Sequence, residues 1–591
     1  MDIVMEAYAE VLKRVLALRD PMTGVWTGEL AASALGTALA VTALDGGAAQ
    51  DQALAEAGAA WLAAHVNDDG GWGDTTESVS NLSTSLVAAA ALRKIGNRNP
   101  GTCRAGETLR RAESWVTERA GSLDSAAVLR ALTRVYGKDR TFAVPILAFL
   151  AMCGNDASAW RSVPPLPFLM ALLPQRWYRF FRLQVVSYAL PALISIGLCR
   201  HVCAARSRGR RAWGRLFAGP LLRRLERLQP AHGGFLDAIP LTAFVSLALR
   251  QAGYGAHPVT QKALLFLRNS ARPEGCWAID SNLRTWVTTL AVRGLADAVG
   301  AEDRGKIAEW LVRNQTKSKH PFTGARPGGW AWTDLPGGVP DADDTAGALI
   351  ALKRLKEAGC VTDVSGAVRT GVRWLLGLQN ADGGMPTFCR GWGRLPFDRS
   401  CPDISAHALA ALAAWCGPEA GDAGRVFGAA DKLVRYLSRT QAADGSWLPL
   451  WFGHQQAAGG TNSVVGTARV VDALRAAQRE LGARGGALGI GAPLARGAQW
   501  LVAAQHADGG WGMGSGATAE ETGLAVIALT GGGATSAAAV RRGCGWLAAH
   551  WAEGAERPAP IGLYFSLLWY HERLYPLVWA LEAFGKNRAS L

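Results

Sequence analysis

One unit recurs along this sequence and limits the possible folds more than any other feature. It is an apolar helix end, often closed by a Gln, then a short Asp/Gly turn ending in an aromatic residue, then another helix. Three copies are plain: from Trp374 through Gln379 to Gly384, from Tyr436 through Gln441 to Trp447, and from Trp500 through Gln505 to Trp511. The Gln-to-Trp spacing is identical in the second and third, and Met385 takes the aromatic position in the first. Weaker copies occur around Trp61 and Trp72, Gln229 and Phe235, Phe266 and Trp277, and Trp310 and Trp330. Small-residue helices with polar starts follow the turns, for example from Ser83 to Leu92, Thr288 to Leu295 and Thr345 to Leu352. Ala and Gly on facing surfaces let helix backbones approach closely, and the Asp-Gly turns supply the positive-φ residue that ends a helix. Helix pairs stacked this way close into α/α barrels. The Gln amide is expected to satisfy free backbone groups at a helix end, with the indole packed on the neighbouring unit.

With 591 residues, 49% of them hydrophobic, the chain can bury more than one large core. Its ten cysteines are scattered without a CxxC pair, so neither a disulfide framework nor a zinc finger is indicated. Cys199, His201 and Cys203 come nearest to a metal cluster, but two cysteines four apart on an apolar helix read as core packing. No metal and no cofactor is expected. The N-terminal stretch, with Glu6, Glu10, Lys13 and Arg14, reads as an amphipathic helix and not as a secretory signal, which predicts a cytoplasmic protein. Apolar runs at 142–153 and 185–199 are too short, or too interrupted by Pro145, Ser187 and Pro191, to span a bilayer.

The net charge of +14 would suit nucleic acid, yet no base-reading module accompanies it, so nucleic acid is not an expected partner. Between Arg200 and Arg227 stand nine arginines against the single acid Glu226, interleaved with Trp213, Leu216 and Phe217. That mixture predicts a helix lying at a lipid surface, the alternative being a basic solvated helix over the core. A second candidate is the Pro- and Leu-rich stretch from Pro164 to Pro174, which precedes Arg176, Trp177, Tyr178 and Arg179.

The segment from Pro340 to Ala346 carries Asp341, Asp343 and Asp344 in an Asp-x-Asp-Asp motif. With the Gln/Trp repeats it resembles the prokaryotic triterpene cyclase family of squalene–hopene cyclase type, and the similarity runs from the turn at Gly24 to the closing segment at Tyr575. The resemblance implies an all-α protein of two α/α barrels, α6–α6 toroids built from Gln-Trp repeats, with a large central apolar cavity. It divides the chain into an N-terminal segment, 1–28, packing on the C-terminal barrel; a first barrel with the membrane-docking segment, 29–280; and a catalytic barrel with the acidic motif, 281–591. It further implies peripheral, monotopic attachment to the cytoplasmic side of the membrane, a squalene-like isoprenoid substrate, and is compatible with a homodimer.

Protonating an unactivated alkene needs a strong acid held away from water. By resemblance Asp343 is that acid. Repulsion from Asp341 and Asp344 is expected to favour its protonated form, while a hydrogen-bonded cation would stabilise the carboxylate left after donation. The family supplies that partner as a histidine in an Asp-x-Ser/Thr-Ala-His segment, matched here from Asp403 to His407, so His407 is assigned to orient and acidify Asp343. Acids also gather at helix N-termini simply to cap free N–H groups, which accounts for Asp341 and Asp344 but not for the histidine or the 327–332 segment. The helix dipole lowers an aspartate pKa, so burial and repulsion must prevail for Asp343 to stay protonated.

A migrating carbocation is stabilised by aromatic faces, at ~0.5–2 kcal/mol each, without a lone pair that would trap it. The resemblance places Trp286, Trp332, Phe388, Tyr188 and Trp451 in that lining, with Phe565 and Tyr570 as further candidates. Trp447 and Trp511 read as structural. Val287 stands where many relatives have an acid, and the stretch between Phe388 and Asp403 is shorter than in typical hopene formers. The expected reaction is protonation-initiated (class II) cyclisation of squalene or a similar linear triterpene to a polycycle such as hopene or hopanol, and the alternative substrate is tetraprenyl-curcumene or a prenyl diphosphate. No DDxxD motif is present, and the turn from Asp68 to Asp74 has the wrong spacing for one. From another class come a non-catalytic α/α-toroid binding protein, opposed by the intact acidic motif, and a zinc-dependent prenyltransferase subunit, which lacks its Cys/His ligand pattern here.

Overall fold

The computed structural model describes residues 2–97, 103–137, 143–154, 159–181, 189–204, 208–295, 297–321, 323–388, 390, 397–552 and 557–588. The chain divides into two compact units: Met1–Glu29, Asn282–Asp334 and Gly338–Leu591 form one, and Leu30–Ser281 with Leu335–Gly337 the other. The three residues of the second unit that lie far along the chain have a local reason, since Gly337 sits so close to Asp237 that a Cβ there would lie 2.5 Å from its carboxylate. Among the described residues the only extended pairings are isolated bridges.

In the first unit six helices pack in a closed ring among the described residues. Arg284–Leu295 packs on Ala342–Glu357, which packs on Pro402–Ala414, then Ser463–Leu481, Ala519–Leu529 and Leu574–Asn587, which returns to Arg284–Leu295. Outside them lie Ala301–Asn314, Ser365–Leu378, Ala423–Thr440, Gly491–Ala503 and Ala534–Ala552, with Asp2–Ala17 packed on Leu574–Asn587 and Ala534–Ala552. This is an α/α barrel, and its two layers differ in sequence for a physical reason. An inner helix is covered on every side, so every residue from Asp403 to Ala413 is buried and most are Ala or Leu. An outer helix is covered on one side: Ala423–Thr440 buries Val426, Ala429, Ala430, Leu433, Val434 and Leu437, at three- and four-residue spacing. Close approach also demands glycine. A Cβ on Gly347, one turn beyond the acidic motif, would lie 2.9 Å from Thr289 Oγ1 on the adjacent inner helix.

The second unit has the same two layers. Ala34–Leu44, Leu82–Gly96, Ala143–Cys153, Leu190–Cys203 and Ile239–Gln251 form its described inner ring, and Ala49–Ala64, Cys103–Ala120, Ser125–Tyr136, Arg208–Leu228 and Pro258–Asn269 pack outside. No described helix is long and apolar enough to cross a membrane.

The recurring turn is held by three kinds of bond, all present in the Gln441 and Gln505 copies and in part in the others. The Gln amide donates twice, to a carbonyl of its own turn and to one on the next outer helix: Gln379 to Gly383 O and Ala429 O, Gln441 to Gly445 O and Pro493 O, Gln505 to Gly509 O and Ala539 O, all at 2.8–3.1 Å. The indole does more than pack, because its Nε1–H donates back to the helix that precedes the turn: Trp72 to Leu62 O, Trp277 to Leu267 O, Trp447 to Leu437 O and Trp511 to Leu501 O. The turn aspartate completes the clasp by accepting from a tryptophan of the next outer helix, as Asp444 does from Trp500 and Asp508 from Trp546. Each clasp thereby satisfies carbonyls that a helix end leaves free.

Candidate active site

Asp341 begins the Ala342–Glu357 helix, and its side chain accepts from the Asp344 N–H at 2.8 Å as an N-cap. Its own backbone N–H donates to Trp330 O at 3.0 Å, while the N–H of Ala342 donates to Thr387 O at 2.9 Å. The start of this helix therefore anchors two segments far apart in sequence, those of Trp332 and Phe388. Two further bonds, from the N–H groups of Thr285 and Trp286 to Trp332 O, bring in the Arg284–Leu295 helix.

Asp343 is 8% exposed, and two groups converge on its Oδ1: His407 Nδ1 at 2.7 Å and Arg469 Nη2, donating at 2.7 Å. Among the described residues nothing bonds its Oδ2. Arg469 projects from the Ser463–Leu481 helix between two rings, its guanidinium 5.6 Å from the Trp286 centroid and 5.7 Å from that of Phe452. Trp286 meets His407 edge-on at 6.1 Å and donates from Nε1 to the Tyr575 hydroxyl at 3.1 Å. A pocket on this side of the acid is lined by Trp286, His407, Arg469, Arg293, Asp472 and Glu582, where Arg293 pairs with Asp472 at 2.7 Å and Glu582 at 2.9 Å.

The electrostatics correct one expectation. Burial pushes the Asp343 carboxyl up, but the Arg469 charge and then His407 overrule it and hold it at about 2. Repulsion from its acidic neighbours does not keep it protonated, because a guanidinium at hydrogen-bond distance in a low-dielectric site outweighs them. The flanking pair shifts the other way: burial raises Asp341 to about 7 and Asp344 well above the carboxylate range. Burial also drives His407 down, against the pull of Asp343, so the permanent cation here is Arg469. Burial raises Asp403 despite Arg469.

The other predicted residues divide into two groups. Trp332, Phe388, Trp451 and Phe565 form one cluster with Phe397: Trp332 to Phe388 is 5.9 Å, Phe388 to Phe397 4.5 Å, Phe397 to Phe565 4.6 Å and Trp451 to Phe565 5.4 Å. Tyr570 belongs to the acid side, its hydroxyl 3.1 Å from that of Tyr575. Tyr188 lies outside the described residues. Sequence reasoning passed over Arg469, Phe397, Phe452 and Tyr575. Arg469 did leave a signal: an arginine among Val464, Val465, Val470 and Val471 interrupts a stretch otherwise suited to complete burial. Among the described residues no group of His, Cys, Asp and Glu is arranged to hold a metal ion, and Cys199 and Cys203 simply face each other at 3.9 Å between sulfurs.

Comparisons with known proteins bear on the family and the fold. The squalene-hopene cyclase N-terminal domain matches residues 10–209 and its C-terminal domain residues 283–586. The chain is 28% identical over 347 residues to the squalene–hopene cyclase of Bradyrhizobium diazoefficiens, covering 51% of this chain and 49% of that protein, so the match spans about half of the relative's length. It is 26% identical over 488 residues to that of Alicyclobacillus acidocaldarius subsp. acidocaldarius, covering 70% of each. Among solved structures, ent-copalyl diphosphate synthase from Streptomyces platensis shares the fold, with a TM-score of 0.60, 21% identity and full coverage of both chains. With one domain model matching about half of its residues, this chain belongs to the squalene–hopene cyclase family.

Proposed function

We propose that this protein is a class II terpene cyclase that converts squalene or a similar linear triterpene into a polycyclic triterpene, with Asp343 as the proton donor. One observation carries the reading: a buried aspartate has both cationic and imidazole contacts on one oxygen, leaving the other unbonded among the described residues. An ordinary carboxylic acid is too weak to protonate an alkene. Stabilising its conjugate base makes the protonated form a far better donor while reducing how often that form is present, so rate depends on both. Trp286 beside the acid, and the cluster of Trp332, Phe388, Phe397, Trp451 and Phe565, supply faces that stabilise a cation without capturing it.

A substrate this apolar is collected from lipid. Supporting peripheral attachment, the second unit exposes Trp177, Phe180 and Phe181 on neighbouring residues, with Leu172 and Leu216. Residues 205–215 of the basic stretch have no described side chains.

The test is incubation of the detergent-solubilised full chain, in EDTA, with squalene and separately with geranylgeranyl diphosphate, products being identified by mass spectrometry. Metal-independent conversion of squalene that is lost in Asp343→Asn is the expected result. Turnover retained by that variant would overturn the assignment, and conversion of the diphosphate alone would move the substrate to the other class.

A further inference from the structure

Arg469 is the cationic contact of Asp343, and its surroundings are built around it. It is enclosed between Trp286 and Phe452, with Nη2 on Asp343. Its Nη1 is buried without a hydrogen-bond partner and faces Asp403 Oδ2, also buried and without a partner, across 3.9 Å. An unmade hydrogen bond on a buried polar group is costly, and here a donor and an acceptor both bear that cost while facing each other. A rotation of the guanidinium toward Asp403 would close that gap at the expense of its 2.7 Å contact with Asp343. The planar fork of an arginine can address two carboxylates from one charge, which a lysine cannot.

Resting on Asp343 as the acid, we propose that Arg469 is a positioning residue of that site: one guanidinium, shared between Asp343 and Asp403, sets how tightly Asp343 holds its proton and neutralises the carboxylate that donation leaves. In the donating step the O–H bond of Asp343 breaks, the alkene π pair forms a C–H bond with that proton, and the substrate becomes a carbocation beside a carboxylate. Arg469 on Oδ1 compensates the new anion, so the carbocation is not drawn back to its donor. Quenching of the final cation returns a proton to solvent, and solvent restores the proton on Asp343. Other charged groups face this centre from each packed helix: Asp341 and Asp344 on its own, Asp403 and His407 on Pro402–Ala414, and Arg293 on Arg284–Leu295. Arg293 is occupied by Asp472 and Glu582, and Glu520 and Glu521 on Ala519–Leu529 by Ala559 N–H and Met513 N–H. Asp403 is therefore the group that competes with Asp343 for Arg469.

The experiment compares full-length wild type, Arg469→Met, Arg469→Lys and Asp403→Asn. Infrared spectra at about pH 4, above the value of about 2 that Asp343 holds in wild type, read the protonated-carboxyl band that is lost when Asp343→Asn is added to each. Arg469→Met should show that band, because removing an opposite charge at hydrogen-bond distance raises a carboxyl by about 1–3 pH units; wild type and Arg469→Lys should not. In turnover, Arg469→Met should lower kcat with little change in KM and move the alkaline limb of the pH profile upward by the same 1–3 units. Asp403→Asn should change kcat in wild type and leave Arg469→Met unaffected. Absence of both the band and the limb shift in folded Arg469→Met would overturn the proposal, as would an Asp403→Asn effect of equal size in both backgrounds. If wild type turns over neither substrate but the band behaves as stated, the cyclase reading fails and the Arg469 assignment stands.

Discussion

Replacing Gln505 by Met keeps the length and most of the volume of the side chain while deleting an amide that donates at 2.8 Å to Gly509 O and at 2.9 Å to Ala539 O. Each such bond contributes ~0.5–1.5 kcal/mol net, so the pair is worth about 1–3 kcal/mol. The lower end applies where water reaches the freed Gly509 carbonyl. The barrel that holds Gln505 comprises roughly 340 residues and, at ~2.1 cal/mol/K per residue, has an unfolding entropy near 0.7 kcal/mol/K, which converts the loss to a fall of about 1.5–4 °C in Tm. Differential scanning calorimetry at one scan rate measures it. Gln379→Met should cost a similar amount, since its amide makes the matching bonds to Gly383 O and Ala429 O. Gln478→Met, at an exposed position of the Ser463–Leu481 helix, should stay within about 0.5 kcal/mol of wild type. An unchanged Tm for Gln505→Met, or an equal loss in Gln478→Met, would refute the idea that the clasps brace the barrel.

Glu520 is buried and raised to about 8, so the folded state keeps a proton that the unfolded chain releases above its ordinary carboxyl pKa. Its penalty on stability accordingly grows as pH climbs from about 4.5 to 8; in urea titrations Glu520→Gln should match wild type at pH 5 and exceed it at pH 8. Trp286→Leu removes one aromatic face beside the acid, a loss of ~0.5–2 kcal/mol that corresponds to about 2–30-fold in turnover. Trp286→Phe should lose less, and equal rates for the two would exclude a role for the ring face. Phe180→Ser with Phe181→Ser should weaken flotation with anionic liposomes and leave turnover of detergent-dispersed squalene intact; unchanged flotation would remove those two rings from the docking surface.

The helical layers were legible because they follow local rules. Repeated Gln, Asp-Gly and Trp positions specify clasps whose bonds lie within one turn and its neighbour, and the contrast between Ala-rich and amphipathic stretches separates inner from outer helices. Asp341 could be read as a cap from its place before an Ala-rich helix. His407 could be paired with Asp343 only through resemblance to a family, because no spacing rule connects residues so distant in sequence.

Where the charge sits in the acid site could not be read that way. Three adjacent acids suggest mutual repulsion with Asp343 protonated, but the ionisation of each depends on what a third helix brings within 3 Å. That helix brings Arg469, which turns the middle aspartate into the low-pKa member while burial raises its two neighbours. The same holds for Phe397, Phe452 and Tyr575, each an ordinary apolar position in sequence until the ring of helices closes. The sequence by itself determined the repeating clasp and the two-layer helical barrel, since those follow from period, turn chemistry and residue size. Only the tertiary structure decided the protonation of the acidic motif and the composition of its aromatic surroundings, because Coulomb and desolvation energies depend on distance in space and burial, and neither is encoded in order along the chain.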